Sequence, residues 1–271
     1  MKIISLNLAG RSNFGKDFDA RMRDIAKFLD AQNADIVCMQ EVTFDNNRSL
    51  AERINSYLEN PYPFVESHMS EKYTFDKFSP RFLEKWNAGL IEHIGDWATD
   101  GMAVFSKEPI ANCSAIVMKP APADERGKPD LRVRVSLIVT LESGFTFTNV
   151  HFATNGNAFM QLKELIDYKP TDVIVGDFNM FTYSMKEHAD IWQNLYKEST
   201  DFKDYISFPD ENATFDHMLI KPVYIFKSIE TFDGLSDHVA MVYEIEKTAT
   251  AWRLFDYLFS WLPPSVFSMV W

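Results

Sequence analysis

Five times along this 271-residue chain an apolar run adjoins a polar residue able to bind a cation or move a proton. Asn7 closes the first run, and Glu41 follows Ile36-Val37-Cys38-Met39-Gln40. His151 follows Phe147-Thr148-Asn149-Val150, while Asp177 and Asn179 follow Val173-Ile174-Val175-Gly176. Asp237 and His238 stand in Gly234-Leu235-Ser236-Asp237-His238, just before the last run, and at a sixth place an acid, Asp216, opens Met218-Leu219-Ile220. Singly, each has an ordinary structural explanation: Asp177 as a helix cap, Ser236-Asp237 as a turn, His151 as a hydrogen-bonded core histidine. Glu41 resists that explanation, because a carboxylate ending a wholly apolar strand needs a cation or donors to offset its desolvation. Together, oxygen ligands and imidazoles at strand ends form the donor set that Mg²⁺-assisted phosphoryl chemistry requires.

The elements that must carry these residues are read from periodicity. Residues 2–8 predict a strand, and Phe18, Met22, Ile25 and Leu29 recur as one apolar face of a helix. Asp35 to Gln40 is a continuous apolar run suited to a central strand; Leu50, Ile54 and Leu58 mark a second helix. Residues 59–100 are irregular, with Pro61, Pro63 and Pro80 as breakers, and a third helix is expected over about 80–94. Strands follow over 102–106, 116–118, 132–141 and 145–152, with Ser143-Gly144 as the hairpin turn between the last two. Then come a helix over 158–168, a strand over 172–175, a helix over 185–197, and strands near 216–220, 223–230 and 239–245. No repeat or linker interrupts the series, so the reading is one domain of mixed α and β.

With 46% hydrophobic and 14% aromatic residues the chain can bury a large core. The net charge of −12 weighs against sequence-independent duplex binding as the main task, because such binding runs on Lys and Arg neutralising phosphates. Two basic stretches exist, one with Arg11, Lys16, Arg21, Arg23 and Lys27, the other with Lys119, Arg126, Lys128, Arg132 and Arg134. Acids interrupt both, which reads as solvated face rather than nucleic-acid track. The two cysteines, Cys38 in a buried strand and Cys113, show no disulfide or metal-ligand spacing. A reducing, cytoplasmic setting is therefore expected. His68, His93 and His188 lack motif context and read as surface residues.

Seven segments in order carry a family resemblance: Ser5-Leu6-Asn7-Leu8, 34–42 around Glu41, Asp100-Gly101-Met102-Ala103-Val104-Phe105-Ser106-Lys107, Asn149-Val150-His151, Gly176-Asp177-Phe178-Asn179, Phe215-Asp216-His217-Met218-Leu219 and Leu235-Ser236-Asp237-His238. The chain thereby resembles the endonuclease/exonuclease/phosphatase superfamily, with deoxyribonuclease I among its members, from residue 3 to about 245. The resemblance implies an α+β fold, a four-layer α/β/β/α sandwich of two mainly antiparallel sheets flanked by helices. It implies Mg²⁺, or Mn²⁺, held by Glu41 with Asn7 and Asp237 beside it. Asp177 and Asn179 would orient or deprotonate the attacking water, His238 would pair with Asp216, and His151 would contact the phosphate or assist the leaving oxygen. His151, Asn179 and His238 would thus be the substrate contacts. His217 is read as structural.

The expected activity is hydrolysis of a phosphodiester or phosphomonoester, with a small-molecule or lipid substrate favoured over nucleic acid by the acidic charge and the aromatic tail. A DNA endo- or exonuclease of the same superfamily is the alternative, and a catalytically silent binding module on the same fold is the second. Residues 1–247 would form the catalytic domain. The segment 248–271, rich in Trp, Phe and Leu but broken by Arg253, Asp256 and Pro263-Pro264, is a poor bilayer span. It reads as a docked terminal helix, a membrane-surface or partner contact that would make the protein membrane-peripheral, or an extension.

Overall fold

Alternation along the strands decides this fold, because each strand sends one set of side chains between two sheets and the other set toward helices. A computed structural model describes residues 1–10, 17–45, 48–69, 101–119, 134–154 and 158–248. The helix expected near 80–94, His93, residues 249–271 of the tail, and Arg11, Lys16, Arg126, Lys128 and Arg132 of the basic stretches lie outside them.

In chain order the elements are β1 (Lys2–Asn7), α1 (Phe18–Gln32), β2 (Ile36–Gln40), β3 (Phe44–Asp45), β4 (Arg48–Ser49), α2 (Leu50–Tyr57), β5 (Phe64–Met69), β6 (Gly101–Ser106), β7 (Ile110–Val117), β8 (Val135–Leu141) and β9 (Thr146–His151). There follow α3 (Ala158–Tyr168), β10 (Val173–Asp177), α4 (Thr182–Glu187), β11 (Lys197–Glu198), β12 (Asp216–Ile220), β13 (Tyr224–Phe232) and β14 (Ala240–Lys247). One six-stranded sheet runs β13-β14-β1-β2-β6-β5, the other β11-β12-β10-β9-β8-β7. Among the described residues each holds a single parallel pair, β1 with β2 and β9 with β10, and is otherwise antiparallel.

Three apolar clusters fill the spaces between four layers. Ile3, Ile36, Cys38, Met102, Val104, Phe147, Val175 and Met218 lie between the sheets. The opposite face of the first sheet, with Ile4, Leu6, Val37 and Met39, is covered by Met22, Ile25 and Leu29 of α1 and Leu50 and Ile54 of α2. On the second sheet, Val150, Ile174 and Leu219 are covered by Leu162 and Leu165 of α3 and Met185 of α4. The helices sit where the 3.6-residue period demands, and α2 opens with a capping box in which Ser49 and Glu52 bond one another's backbone N–H at 3.1 Å. The four-layer α/β/β/α sandwich expected from the resemblance is therefore the architecture found.

Two segments differ from their sequence reading. Within 59–100, β5 forms an edge strand paired with β6, tied in by its backbone rather than by an apolar alternation. The helix expected over 185–197 is α4 followed by a 3-10 turn at Ala189–Ile191 and the strand β11. Its apolar anchors are instead fixed individually: Trp192 Nε1 donates to Met185 O at 3.2 Å and Tyr196 Oη donates to Thr171 O at 2.9 Å.

Candidate active site

The terminal inward-facing residues of five strands meet at one end of the space between the sheets. On β1 the inner face runs Ile3, Ser5, Asn7, and on β2 it runs Ile36, Cys38, Gln40, with Glu41 next in the chain. Because β1 and β2 are parallel, with Asn7 opposite Gln40, Asn7 and Glu41 emerge side by side. On the facing sheet Asp177 of β10 pairs with His151 of β9 on one side and with Asp216 of β12 on the other. Further in, the inner faces become apolar at Ile3, Ile36, Cys38, Phe147, Val175 and Met218, so the site is the polar rim of the inter-sheet core.

Asn7 joins the two sheets. Its Nδ2 donates to Glu41 Oε1 at 3.3 Å and to Asp177 Oδ2 at 3.0 Å, while its Oδ1 accepts from the Ala9 N–H at 2.9 Å. One layer deeper, Gln40 Nε2 donates to Asn149 Oδ1 at 2.7 Å, and Asn149 Nδ2 reaches Met39 O and Ala103 O, each at 3.0 Å. Both amides are fully buried. This bridge fixes the register of one sheet over the other directly beneath the carboxylates, and the sequence reading assigned no role to either residue.

His238 Nδ1 lies 2.7 Å from Asp216 Oδ2, and its Nε2 lies 3.8 Å from Asp177 Oδ2. Burial alone would lower its pKa, but the carboxylates of Asp216, Asp177 and Asp237 outweigh that and hold it up to about 10. The ring is therefore an imidazolium at neutral pH. Asp177 is pushed up to about 6, first by burial and then by Asp216 and Glu41, against the downward pull of His238 and the Asn179 N–H. Asp216 Oδ1 has no hydrogen-bond partner among the described residues.

His151 Nε2 stands 3.6 Å from Asp177 Oδ2, 3.8 Å from Glu41 Oε1 and 2.8 Å from Arg134 Nη1. A guanidinium can only donate, so this contact places the lone pair on Nε2 and the ring proton on Nδ1. Arg134 is 4% exposed, which corrects its reading as part of a solvated basic face. Arg21 is corrected likewise. It is fully buried, donates through Nε to Leu235 O at 2.9 Å and through Nη2 to Leu8 O, and so ties the turn after β1 to the loop bearing Asp237. Burial lowers its pKa to about 10, with Asp237 opposing.

The remaining expected residues sit at the margin. Asn179 donates its backbone N–H to Asp177 Oδ1 at 2.8 Å and its Nδ2 to Phe152 O at 2.9 Å. Asp237 Oδ1 accepts from Ser236 Oγ and the His238 N–H, each at 3.0 Å, and no hydrogen bond joins it to Asn7 or Glu41. Asn7, Glu41, His151, Asp177, Asp216 and His238 are thus brought into one contact network, with Asn179 attached through its backbone. Ala9, Glu41 and Asn179 all have φ near +50°, a left-handed conformation uncommon for side-chain-bearing residues. Their grouping here stores backbone strain where side chains must be aimed. Gly176, at φ +143°, is required for another reason: a Cβ there would stand 2.1 Å from Val150 O, so only glycine lets β10 approach β9 just before Asp177.

His217 is structural, as expected. Its Nδ1 is 2.9 Å from Glu198 Oε1 and its Nε2 is 2.8 Å from Met180 O, with no exposure.

A sequence profile of the Endonuclease/Exonuclease/phosphatase family matches residues 4–238. The chain belongs to that family. Members of it are hydrolases of phosphoesters, and this chain has their phosphoesterase fold. No curated protein sequence matches it. Among solved structures it resembles an endonuclease/exonuclease/phosphatase from Bacteroides vulgatus, with a TM-score of 0.62 and 17% identity over 91% of this chain and 98% of that one. It also resembles the human Nocturnin catalytic domain with bound sulfate (TM-score 0.59, 18% identity, 92% and 93% covered). A third likeness is to a mannosyl-6-phosphatase from Bacteroides thetaiotaomicron (TM-score 0.57, 15% identity, 91% and 99% covered). Among the described residues no helix is long and apolar enough to cross a membrane.

Proposed function

We propose that this chain hydrolyses a phosphoester, diester or monoester, with Mg²⁺ or Mn²⁺ as cofactor. The observation that carries the reading is the convergence of Glu41, Asn7, Asp177, His151 and the Asp216–His238 pair on one rim, joined by contacts of 3.8 Å or less.

The donor set fits a hard divalent cation. Carboxylates dominate the rim, Asp177 is raised by burial and by the charges of Asp216 and Glu41, and a neutral amide donates to Glu41. Glu41 would be the principal ligand, with Asp237 and Asn7 beside it; Asn7 can offer its oxygen once the Ala9 N–H bond exchanges. When bound, the cation neutralises phosphate charge and makes water more acidic.

The chain's own residues supply the rest. Asp177, oriented by Asn7 and by the Asn179 N–H, accepts the proton of the attacking water. His238, held as a cation by Asp216, presents positive charge through Nε2 to the phosphoryl oxygens. Arg134 adds a second positive charge beside His151 Nε2, and together they form a further contact for the phosphate. Asn179 lies next to these groups as a further contact. Residues 1–247 are the catalytic unit in this reading.

A compact or apolar substrate is favoured over nucleic acid. Beyond the net charge of −12, aromatic rings lead outward from the site: His238 to Phe208 at 4.8 Å, Phe208 to Phe215 at 5.7 Å, Phe215 to Phe181 at 4.8 Å and Phe181 to Tyr183 at 5.1 Å. Tyr183 is 66% exposed. Such a shelf suits an acyl, aryl or sugar group more than a polyanionic backbone. The test compares a generic diester, a generic monoester, plasmid DNA and a choline phospholipid, each with Mg²⁺ and with chelator. Chelator-sensitive turnover of a small ester or the lipid is expected; plasmid cleavage that falls steeply with salt would favour the nuclease.

A further inference from the structure

The alternation that lines the catalytic rim also builds a second polar cluster, at the edge of the sandwich. β5 ends one sheet and β7 ends the other, at the same side of the molecule. Glu66 and His68 of β5 are two residues apart, so both project to one face. They lie opposite Val104 and Met102 of β6, which belong to the inter-sheet core, so that face is the inner one. Cys113 of β7 stands opposite Val139 of β8, another inter-sheet residue, and packs against the same core.

Across the gap, Cys113 Sγ is 3.8 Å from His68 Nε2, and His68 Nε2 is 3.7 Å from Glu66 Oε2. The three ligand atoms all lie within 4.8 Å of one another. In a tetrahedral zinc site with bond lengths of about 2.0–2.3 Å, neighbouring ligand atoms stand about 3.3–3.6 Å apart. Two of the three separations therefore need only a few tenths of an ångström, within the reach of side-chain rotation at a sheet edge. His68, read from sequence as a surface residue without context, is half-buried here; topology rather than spacing assembles the trio.

We propose that Glu66, His68 and Cys113 bind Zn²⁺, which clamps the two sheet edges together. One sulfur, one imidazole nitrogen and one carboxylate oxygen form a borderline-soft set that selects zinc over Mg²⁺, in contrast to the oxygen-rich catalytic rim. Three protein ligands leave the fourth position for water. Burial, with Glu66 nearby, raises the Cys113 thiol to about 12, so binding proceeds with displacement of the thiol proton to solvent as the sulfur–zinc bond forms.

Co²⁺ titration of the full chain tests this, because a cobalt-bound thiolate gives a near-ultraviolet charge-transfer band and a tetrahedral site gives intense visible bands. One equivalent is expected to produce both, Zn²⁺ is expected to abolish them, and millimolar Mg²⁺ is expected to leave them in place. C113S should lose the charge-transfer band, H68A should lose it or shift saturation to much higher Co²⁺, and E41A should retain it. Should C113S fail to fold, H68A and E66Q carry the test. No thiolate band in the wild-type chain, or a band unchanged in C113S or in both H68A and E66Q, overturns the proposal.

Discussion

Replacing Asp216 by Asn tests whether the Asp216–His238 pair works as a unit. The two groups are almost fully buried and 2.7 Å apart, so their bond is a charge-assisted one shielded from water. An asparagine can keep an oxygen on His238 Nδ1 while losing the charge. A hydrogen bond to a charged group is worth about 1.5–3 kcal/mol, and about 1.4 kcal/mol is a factor of ten, so D216N should lower kcat by about 10- to 150-fold. The assay is steady-state hydrolysis of the best small ester at saturating Mg²⁺, for wild type, D216N, H238A and the double variant. Since Asp216 acts through His238, D216N should cost little further activity in the H238A background. A D216N kcat within twofold of wild type would refute the reasoning, as would the same fold loss in both backgrounds, given a native circular dichroism spectrum.

Other consequences concern the frame. The buried Glu198–His217 pair should matter to stability: E198Q leaves His217 without its charged partner, and removing one member of such a pair costs about 3–5 kcal/mol, readable by urea denaturation. Burial opposes ionisation of both, yet their mutual bond lowers Glu198 and raises His217. Glu198's contribution is therefore present above the unfolded carboxylate pKa and lost as pH falls through its folded value; His217's is present below the unfolded imidazole pKa and lost as pH rises through its folded value. Full stabilisation spans about pH 4.3 to 6.5, and E198Q should flatten the stability profile on both sides of that window. Gly176→Ala forces a side chain into φ +143° and against Val150 O, and should destabilise by about 2–4 kcal/mol; a melting temperature unchanged within error would contradict the close β9–β10 approach. Arg134→Met removes the donor to His151 Nε2 and should lower kcat about 100-fold or more, with equal activity ruling out its assigned role.

The parts of the site that could be read beforehand share one property: they end apolar runs. Asn7, His151 and Asp177 end strands, and Glu41 follows one, whose alternation fixes which face the last residue takes, so convergence follows once the two sheets pack. Asp216 and His238 mark the starts of strands and obey the same rule. Arg134 escaped because its meaning lies in His151, seventeen positions away on β9. Arg21 left a signal that its charge concealed. It stands four residues before Ile25 and eight before Leu29, on the apolar face of α1, where a solvated arginine does not belong. Gln40 and Asn149 were equally visible as polar residues at inward positions between Cys38 and the rim, and between Phe147 and His151. The Glu66–His68–Cys113 cluster could not be read at all, since only the stacking of β5 and β7 creates it. The 185–197 segment was misread because its buried anchors Met185, Trp192 and Tyr196 have helical spacing yet are held one by one by turns.

The central claim, that Glu41 anchors a catalytic cation in a phosphoester hydrolase, is tested most directly by E41A. Hydrolysis of a generic phosphodiester and a generic monoester should be measured for wild type and E41A across an Mg²⁺ titration, with chelator as the blank. The account predicts Mg²⁺-dependent turnover of at least one ester by wild type, abolished by chelator. It predicts that E41A, still folded, loses activity by about 100-fold or more at low Mg²⁺ and recovers part of it only at much higher concentration. Activity on neither ester, or activity indifferent to both chelator and E41A, would contradict it.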